Sequence, residues 1–464
     1  MTSREAAPRN SPAALPRAGA ELELYFTDLL ANGQAVGRAG GMAVFCFGPL
    51  PRETALVRVT SVKRRYAVAT LKRVLTASPD RCQPFCPVFG DCGGCQVQHL
   101  NYPAQLAWKR ELVRNTLARI GGFAGVEVQP TVGMTVPRNY RNKMSLVVEH
   151  RSTPPAIGFY KQRSHDVVAI DACPIVATQL SDYIAQLNAA RAVGEIAAAL
   201  APARHLVARA SSTAGQAVLT ITTTSASDAV ERAAPALRAR LPALAGLINS
   251  FDLSSANAIV GRRRRVVSGT GDVEEVIAGL HYRISPDSFF QINVEIVARI
   301  FAYIRPHIVG PQRVVDLYCG VGTFALFFAR CGCDVFGVEE SAQAIAEARA
   351  NAECNGLAET VRLHQGRVEN VLRAPQGREV LERAEIAFLD PPRKGSDETT
   401  LGALVAARVP NVWYLSCDPA TLARDLKFLA AKGYRLGVVQ PFDMFPQTGH
   451  VETLVMLQYA IHAV

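Results

Sequence analysis

Val314-Val315-Asp316-Leu317-Tyr318-Cys319-Gly320-Val321-Gly322-Thr323-Phe324 is the stretch on which the fold turns. Its opening residues form a short apolar run, which reads as a buried strand. Gly320 and Gly322 supply a turn, and Phe324–Arg330 continues as an amphipathic helix. A second strand, Asp334–Val338, ends at Glu339, so the Gly320-to-Glu339 spacing is close to the roughly 20 residues of a dinucleotide fingerprint. Such glycines let a ligand approach the backbone, and such an acid accepts hydrogen bonds from both ribose hydroxyls. The full G-x-G-x-x-G pattern is absent, because Thr323-Phe324 follow Gly322. A cofactor without pyrophosphate suits this turn, and S-adenosylmethionine fits better than NAD. Asp316 is placed to orient the turn or to meet the methionine amine. An ordinary strand–helix turn is the competing reading of the stretch taken alone.

Downstream, strand and helix patterns alternate, which implies a parallel sheet flanked by helices. Ile386-Ala387-Phe388-Leu389 reads as a strand ending in Asp390-Pro391-Pro392-Arg393-Lys394-Gly395. Asp390 would then lie at the carboxyl edge of the sheet, where ligands gather. Val412-Trp413-Tyr414-Leu415 is another buried strand, followed by Ser416-Cys417-Asp418-Pro419 and a helix from Thr421. Cys417 therefore falls on a strand-to-helix turn at the same edge, and nearness to a helix N-terminus should lower its pKa. A free Cys is more often a small buried hydrophobe, and Cys417 gains interest from its neighbours. Upstream, Ser285-Pro286-Asp287-Ser288-Phe289-Phe290-Gln291 introduces this region, with Gln291 expected just inside a helix. Near the end, Pro446-Gln447-Thr448-Gly449-His450 is expected to carry Glu452 on a loop. By itself Glu452 is a solvated strand-edge carboxylate.

The chain of 464 residues has room for about three domains. No apolar run approaches the roughly 20 residues of a membrane span, and the N-terminus has no secretory h-region. Eleven cysteines at scattered spacings suit a reduced cytoplasmic setting better than a disulfide framework. The net charge of +10 is uneven. Residues 1–300 hold 34 Lys and Arg against 22 Asp and Glu, whereas residues 301–464 hold 16 against 18. A polyanion partner such as nucleic acid is the natural inference from that basic excess, with solvated surface charge the plainer alternative.

Residues 1–20, rich in Ala, Pro and Arg, read as a disordered tail. Residues 21–80 read as a small five-stranded β-barrel of the OB type, with Lys63-Arg64-Arg65 and Lys72-Arg73 as basic loops suited to RNA. The pattern resembles the TRAM module of RNA-modifying enzymes. Residues 81–125 hold Cys82, Cys86, Cys92 and Cys95 among glycines, then a helix at 101–120 whose apolar stripe leaves Lys109 on the other side. So dense a cluster points to a metal. Tetrahedral zinc on the four local thiolates is one reading. An iron–sulfur cluster using three of them with a distant thiolate is the other, and Cys173, followed by Pro174, is the natural distant candidate. Residues 126–285 mix strands with Ala-rich helices as an α+β domain. Pro137-Arg138-Asn139-Tyr140-Arg141-Asn142-Lys143 is read as an RNA contact, while Gly261-Arg262-Arg263-Arg264-Arg265 could bind phosphate or be an exposed hairpin.

Taken together, the Gly320 turn, Asp390-Pro391-Pro392-Arg393, Cys417 and His450-Val451-Glu452 resemble the RNA uracil-C5 methyltransferases. The cysteine segment narrows this resemblance to the bacterial iron–sulfur subgroup with a TRAM domain that modifies 23S rRNA. It covers nearly the whole chain after residue 20. It implies an α/β fold, with a class I, Rossmann-like, S-adenosylmethionine-dependent methyltransferase domain at 286–464 behind the barrel and the central α+β domain. It implies a [4Fe–4S] cluster on Cys86, Cys92, Cys95 and Cys173, with Cys82 left over. Cofactor contacts fall on Gln291, Tyr318, Gly320, Thr323, Glu339 and Asp390, the nucleophile on Cys417 and the base on Glu452. The implied partner is a 23S rRNA stem-loop, bound by a monomer with no membrane contact. The residues at His364-Gln365-Gly366-Arg367 depart from the family's adenine contact.

The residue types suit the chemistry. A thiolate adding at C6 turns the uracil ring into an enolate whose C5 can attack a methyl sulfonium. Asp390 and Arg393 can steady the developing O4 charge, and Glu452 can remove the C5 proton. A tRNA uracil-C5 methyltransferase and a non-catalytic RNA-binding protein with a metal knuckle are the alternatives. A cytosine-C5 methyltransferase is disfavoured, because Ser416 rather than Pro precedes Cys417. An amino-methyltransferase is disfavoured because Arg393, not an aromatic, follows Asp390-Pro391-Pro392.

Overall fold

The computed structural model describes residues 15–255 and 258–460. They form two compact units, Met1–Trp108 with Gln447–His450, and Lys109–Pro446 with Val451–Val464.

In the first unit, β1 (Glu21–Leu29), β2 (Gln34–Ala39), β3 (Met42–Phe47), β4 (Glu53–Val62) and β5 (Tyr66–Thr76) close a barrel in the order β1-β2-β3-β5-β4. Alternate residues such as Leu24, Phe26, Val44, Cys46, Val57 and Val59 fill its interior. β2 is the strand that pattern reading passes over, because Gly37 sits inside it. A Cβ on Gly37 would lie 3.2 Å from Tyr25 O on the neighbouring strand, so the glycine serves close strand approach and not a turn. Residues 1–14 of the expected tail lie outside the described residues. Gly19 N donates to Val59 O and Val59 N to Ala20 O, so the barrel begins before residue 21. The short run Gln447–His450, expected within the methyltransferase domain, belongs to this unit. Gln96 N and Val97 N donate to Gln447 O at 3.0 and 3.1 Å, and the Gln105 side-chain amide brackets Gln447 by donating to its Oε1 and accepting from its N. Gly449 is required there, since a Cβ would fall 1.6 Å from Ala31 O.

The second unit holds two large sheets. β6 (Lys143–Glu149), β7 (Ala156–Tyr160), β8 (Val167–Ala169), β9 (Ala203–Ala210), β10 (Ala217–Thr223), β11 (Leu244–Phe251) and β12 (Arg263–Gly269) run in the order β12-β11-β10-β9-β6-β7-β8. The arginine run Arg262–Arg265 opens the edge strand β12 and is spent on neighbours. Arg262 pairs with Asp252, Arg264 with Asp287 and Arg265 with Glu231, while Arg263 lies over the Phe251 ring. Arg262, Arg263 and Arg264 are exposed at the loop end of the antiparallel β11–β12 hairpin. The hairpin β13 (Val273–Ile277) and β14 (Leu280–Ile284) sends Val273, Tyr282 and Ile284 into the same core as Phe324, Phe328 and Phe388. Residues 128–132, expected in the central domain, instead run beside the C-terminal sheet, where Gln129 N donates to Val439 O and Val132 N to Pro441 O.

β15 (Arg313–Leu317), β16 (Asp334–Glu339), β17 (Val361–Gln365), β18 (Ile386–Leu389), β19 (Asn411–Ser416), β20 (Tyr434–Phe442) and β21 (Glu452–Tyr459) form the second sheet, in the order β17-β16-β15-β18-β19-β21-β20. β15 to β19 are mutually parallel, and β21 runs antiparallel to β19. Strands such as Ile386–Leu389 are buried along their whole length, as expected of a parallel sheet covered on both faces. Because β21 is reversed, its first residue lies at the same edge as the carboxyl ends of the parallel strands. Among the described residues no helix is long and apolar enough to cross a membrane.

Candidate active site

The carboxyl edge of the second sheet collects most of the residues singled out from sequence. After β15, Tyr318 (φ 69°), Gly320 (φ 56°) and Gly322 (φ 87°) turn the chain into the helix Thr323–Arg330. Gly322 has no room for a side chain, since a Cβ would meet Leu326 Cδ1 at 2.4 Å. Glu339 closes β16 and accepts from Gly320 N at 3.2 Å and from Ser341 N at 2.8 Å. A carboxylate has about four lone-pair sites, so acceptor capacity remains for ribose hydroxyls. Thr323 is buried at the start of the helix, and Tyr282 Oη donates to its carbonyl. Asp316 is buried beneath the turn with Oδ2 unpartnered, and burial, then Asp390, hold its carboxyl well above the ordinary range.

Asp390 follows β18 and accepts from Gln291 Nε2 at 3.2 Å. Gln291 is buried, but it lies in the loop before the helix Val294–Ile304 and not within it, since Asn293 is the N-cap. Burial pushes Asp390 up to about 7. Arg393 is exposed on the following loop.

Cys417 separates β19 from the helix Pro419–Ala430. The register of β19 and β21 pairs Leu415 with Leu454 and Ser416 with Thr453. Cys417 follows and Glu452 precedes that last pair, so both lie at the same end of the ladder. Glu452 is buried, its Oε1 has no partner, and burial with the Asp390 charge holds its carboxyl well above the usual range. It begins strand β21 instead of riding on a loop, so its place is fixed by the ladder. The expected lowering of the Cys417 pKa is not observed. Burial, then Glu452 and Asp390, push the thiol up to about 12, with Arg393 opposing. The helix N-terminus gives little help, because Asp418 caps it, accepting from Ala420 N and Thr421 N at 2.8 and 3.1 Å and adding its own negative charge.

The cysteine segment is a string of turns within the first unit. Cys86 N donates to Gln98 Oε1, the Cys82 thiol to Gln98 O, and Gly94 N to Cys92 Sγ at 3.4 Å. An N–H aimed at sulfur suits a ligand thiolate. Even so, among the described residues no group of three or more His, Cys, Asp or Glu side chains is gathered so as to hold a metal ion. Cys173, in the second unit, receives a different fixing contact, its N donating to Ser181 Oγ at 3.0 Å. In the 137–143 segment Arg138 is exposed, while Arg141 Nε donates to Lys143 O and Lys143 Nζ to Pro286 O.

Sequence reading missed Ser396, whose Oγ lies 3.0 Å from Tyr318 Oη, and the buried acid Asp425 that holds its backbone. No local pattern marks either residue, since their partners are distant in the chain.

A seven-stranded sheet in this order, with a glycine turn and an acid ending the adjacent strand, defines an S-adenosylmethionine-dependent methyltransferase. The tRNA (uracil-5-)-methyltransferase family matches residues 101–460. An uncharacterized RNA methyltransferase of Gloeobacter violaceus is 36% identical over 454 residues, covering 95% of this chain and 97% of the relative. One from Halalkalibacterium halodurans is 35% identical over 449 residues, covering 94% and 96%. Among solved structures, the Pyrococcus abyssi tRNA (uracil-54, C5)-methyltransferase in complex with S-adenosyl-L-homocysteine superposes with a TM-score of 0.73 at 26% identity, covering 94% of this chain and 100% of that one. The chain belongs to the tRNA (uracil-5-)-methyltransferase family and is an S-adenosylmethionine-dependent RNA (uracil-C5)-methyltransferase.

Proposed function

We propose that the protein methylates C5 of one uridine in 23S rRNA through a covalent bond between Cys417 and uracil C6, with Glu452 as the base. The observation that carries the mechanism is the Ser416–Thr453 pair, which brings Cys417 and Glu452 to one sheet edge, where the Glu452 and Asp390 charges both act on the thiol. The 23S preference rests on the resemblance of the cysteine segment to one subgroup. The family description and the Pyrococcus abyssi enzyme favour tRNA as the second reading.

The cofactor supplies an electrophilic methyl group on a sulfonium. Gln291, Tyr318, Gly320, Thr323, Glu339 and Asp390 would hold it, with Glu339 on the ribose. The chain's own residues do the rest. Cys417 gives its proton to Asp390, leaving Glu452 a carboxylate, and its sulfur bonds to C6 while the C5–C6 π pair shifts toward O4. Asp390 and Arg393 steady the charge on O4. C5 would then bond to the methyl carbon as its bond to the sulfonium breaks, the electron pair staying on sulfur, which leaves as the neutral thioether of S-adenosylhomocysteine. Glu452, as carboxylate, accepts the C5 proton, the pair re-forms the C5–C6 double bond, and the bond to Cys417 breaks. A target uracil must leave its stack to be reached, which suits a loop nucleotide.

A [4Fe–4S] cluster on Cys86, Cys92, Cys95 and Cys173 is proposed on donor chemistry and resemblance, with zinc as the alternative and no catalytic step routed through it. Visible absorbance of anaerobically purified protein with matching iron and sulfide content supports the cluster. A colourless protein containing zinc, or no metal, removes it. The substrate is tested by incubating labelled S-adenosylmethionine with total RNA from cells lacking the protein and mapping the label. Label in a 23S uridine fits the proposal, label in tRNA establishes the second reading, and label on protein or DNA alone overturns both.

A further inference from the structure

The loop that follows Asp390 is held from beneath by a group of side chains outside the active site proper. Asp425, fully buried on the Cys417 helix, accepts at Oδ2 from Tyr414 Oη at 2.6 Å and from Ser396 N at 2.9 Å. Ser396 N also points at Tyr414 Oη, at 3.1 Å. The other Asp425 oxygen pairs with Arg424 at 2.7 Å, and Arg424 NH2 reaches on to the carbonyls of Lys394 and Ser396 at 3.0 and 3.3 Å. From the first turn of the same helix, Thr421 Oγ1 donates to Arg393 O at 3.2 Å. Gly395, at φ 76°, lets the loop settle onto these groups, since a Cβ there would stand 2.6 Å from both Asp425 Oδ2 and Arg424 NH2. Ser396 Oγ completes the set by meeting Tyr318 Oη from the glycine turn.

Two pieces of the site thus meet at one buried carboxylate, the loop bearing Arg393 and the helix behind Cys417, and the Ser396 hydroxyl links them to Tyr318, which opens the cofactor turn. A charged acid with this many donors is expensive to bury unless all are satisfied. Tyr414, three residues before Cys417, faces the acid with its hydroxyl and is itself fully buried.

We propose that Asp425, backed by Tyr414 and Arg424, is a positioning residue that fixes the Arg393 loop relative to the Cys417 sulfur. The proposal rests on the reading of Arg393 and Asp390 as the groups that steady uracil O4. It acts on the step in which sulfur bonds to C6, because that step needs the O4 partners already in place. It leaves the Gly320–Glu339 cofactor half-site unchanged.

The test measures kcat, the KM for RNA and S-adenosylmethionine affinity on the RNA fraction that the parent enzyme labels. Asp425→Ala should lower kcat about 30- to 100-fold, in the range of lost positioning, with cofactor affinity changed less than threefold. Asp425→Asn keeps the acceptor for Tyr414 and Ser396 and should recover about tenfold of that loss. Should Asp425→Ala fail to fold, Arg424→Ala at the solvent side serves instead, with an expected fivefold or greater loss in kcat. Full kcat in Arg424→Ala together with either Asp425 variant overturns the proposal. So does a loss in cofactor affinity that matches the loss in kcat, which would mark general damage. Cys417→Ala runs alongside. If it is dead while Asp425→Ala keeps the parent kcat, the positioning proposal fails and the reading of the site stands. If Cys417→Ala still methylates RNA, the reading of the site fails first.

Discussion

Cys417 and Glu452 flank the last pair, Ser416–Thr453, of an antiparallel ladder and so lie at the same edge of the sheet. A parallel partner would carry its first residue to the far edge, so the reversal of β21 is what brings Glu452 to the edge that holds Cys417.

Glu452→Gln keeps the shape and removes the proton acceptor. Adduct formation should persist while release fails, so methylated RNA should stay attached to the protein. A denaturing gel should show a slow band absent from Cys417→Ala. Turnover should fall about 100- to 10,000-fold, the usual range for general-base removal.

Activity should rise with pH through about 7. Burial holds Asp390 near 7, raises Glu452, and pushes Cys417 up to about 12. The acid pair must lose a proton before it can receive one from sulfur, so the acidic limb belongs to the pair. The pH profile of kcat/KM checks this, and in Asp390→Asn the limb near 7 should move.

Stability carries the opposite pH dependence. Asp390 ionises near 4 in the unfolded chain and near 7 in the folded one. The folded state therefore holds an extra proton between these values, and its advantage is fully present below about 4 and lost as pH rises through about 7. Asp390→Asn should be more stable than the parent by about 1–3 kcal/mol at pH 8 and equal to it at pH 4, while losing activity. Urea unfolding at the two pH values measures the difference.

Lys109 shows where sequence reading runs out. Helical periodicity placed it off the apolar stripe, yet it is fully buried against Asp443 at 2.5 Å and donates to Phe445 O at 3.0 Å. Its partner lies more than 300 residues away, and no window of sequence reveals a contact at that range. Lys109→Ala should cost about 3–5 kcal/mol by stranding the Asp443 charge, whereas a paired Lys109→Met, Asp443→Leu change should cost far less. Denaturant midpoints test the contrast.

Legibility followed the same rule elsewhere. The Gly320 turn, Glu339, Asp390 and Cys417 could be found because each is fixed by its own strand and turn. Glu452 could be named from resemblance, but its strand position depends on pairing with β19, and Gly37 hid β2 because a glycine needed for close strand approach looks like one needed for a turn. The Cys417 pKa was misjudged because the helix N-terminus was visible while its capping by Asp418 and the carboxylates facing the sulfur were not.

Basic residues should differ in use. Arg64 and Arg65 are exposed between β4 and β5, whereas Arg262–Arg265 are engaged by Asp252, Asp287, Glu231 and Phe251. The double change Arg64→Ala, Arg65→Ala should weaken RNA binding and reduce the slope of log affinity against log salt by about 1–2. Arg263→Ala should alter affinity less than twofold. Filter binding across a salt series distinguishes them.

The most direct measurement uses RNA carrying 5-fluorouridine, incubated with the enzyme and S-adenosylmethionine and then digested for mass spectrometry. Fluorine at C5 cannot be removed as a proton, so the intermediate should remain bound to the peptide containing Cys417, with the pyrimidine carrying both fluorine and the added methyl. An adduct on another residue, or efficient methylation of ordinary uridine by Cys417→Ala, would contradict the account.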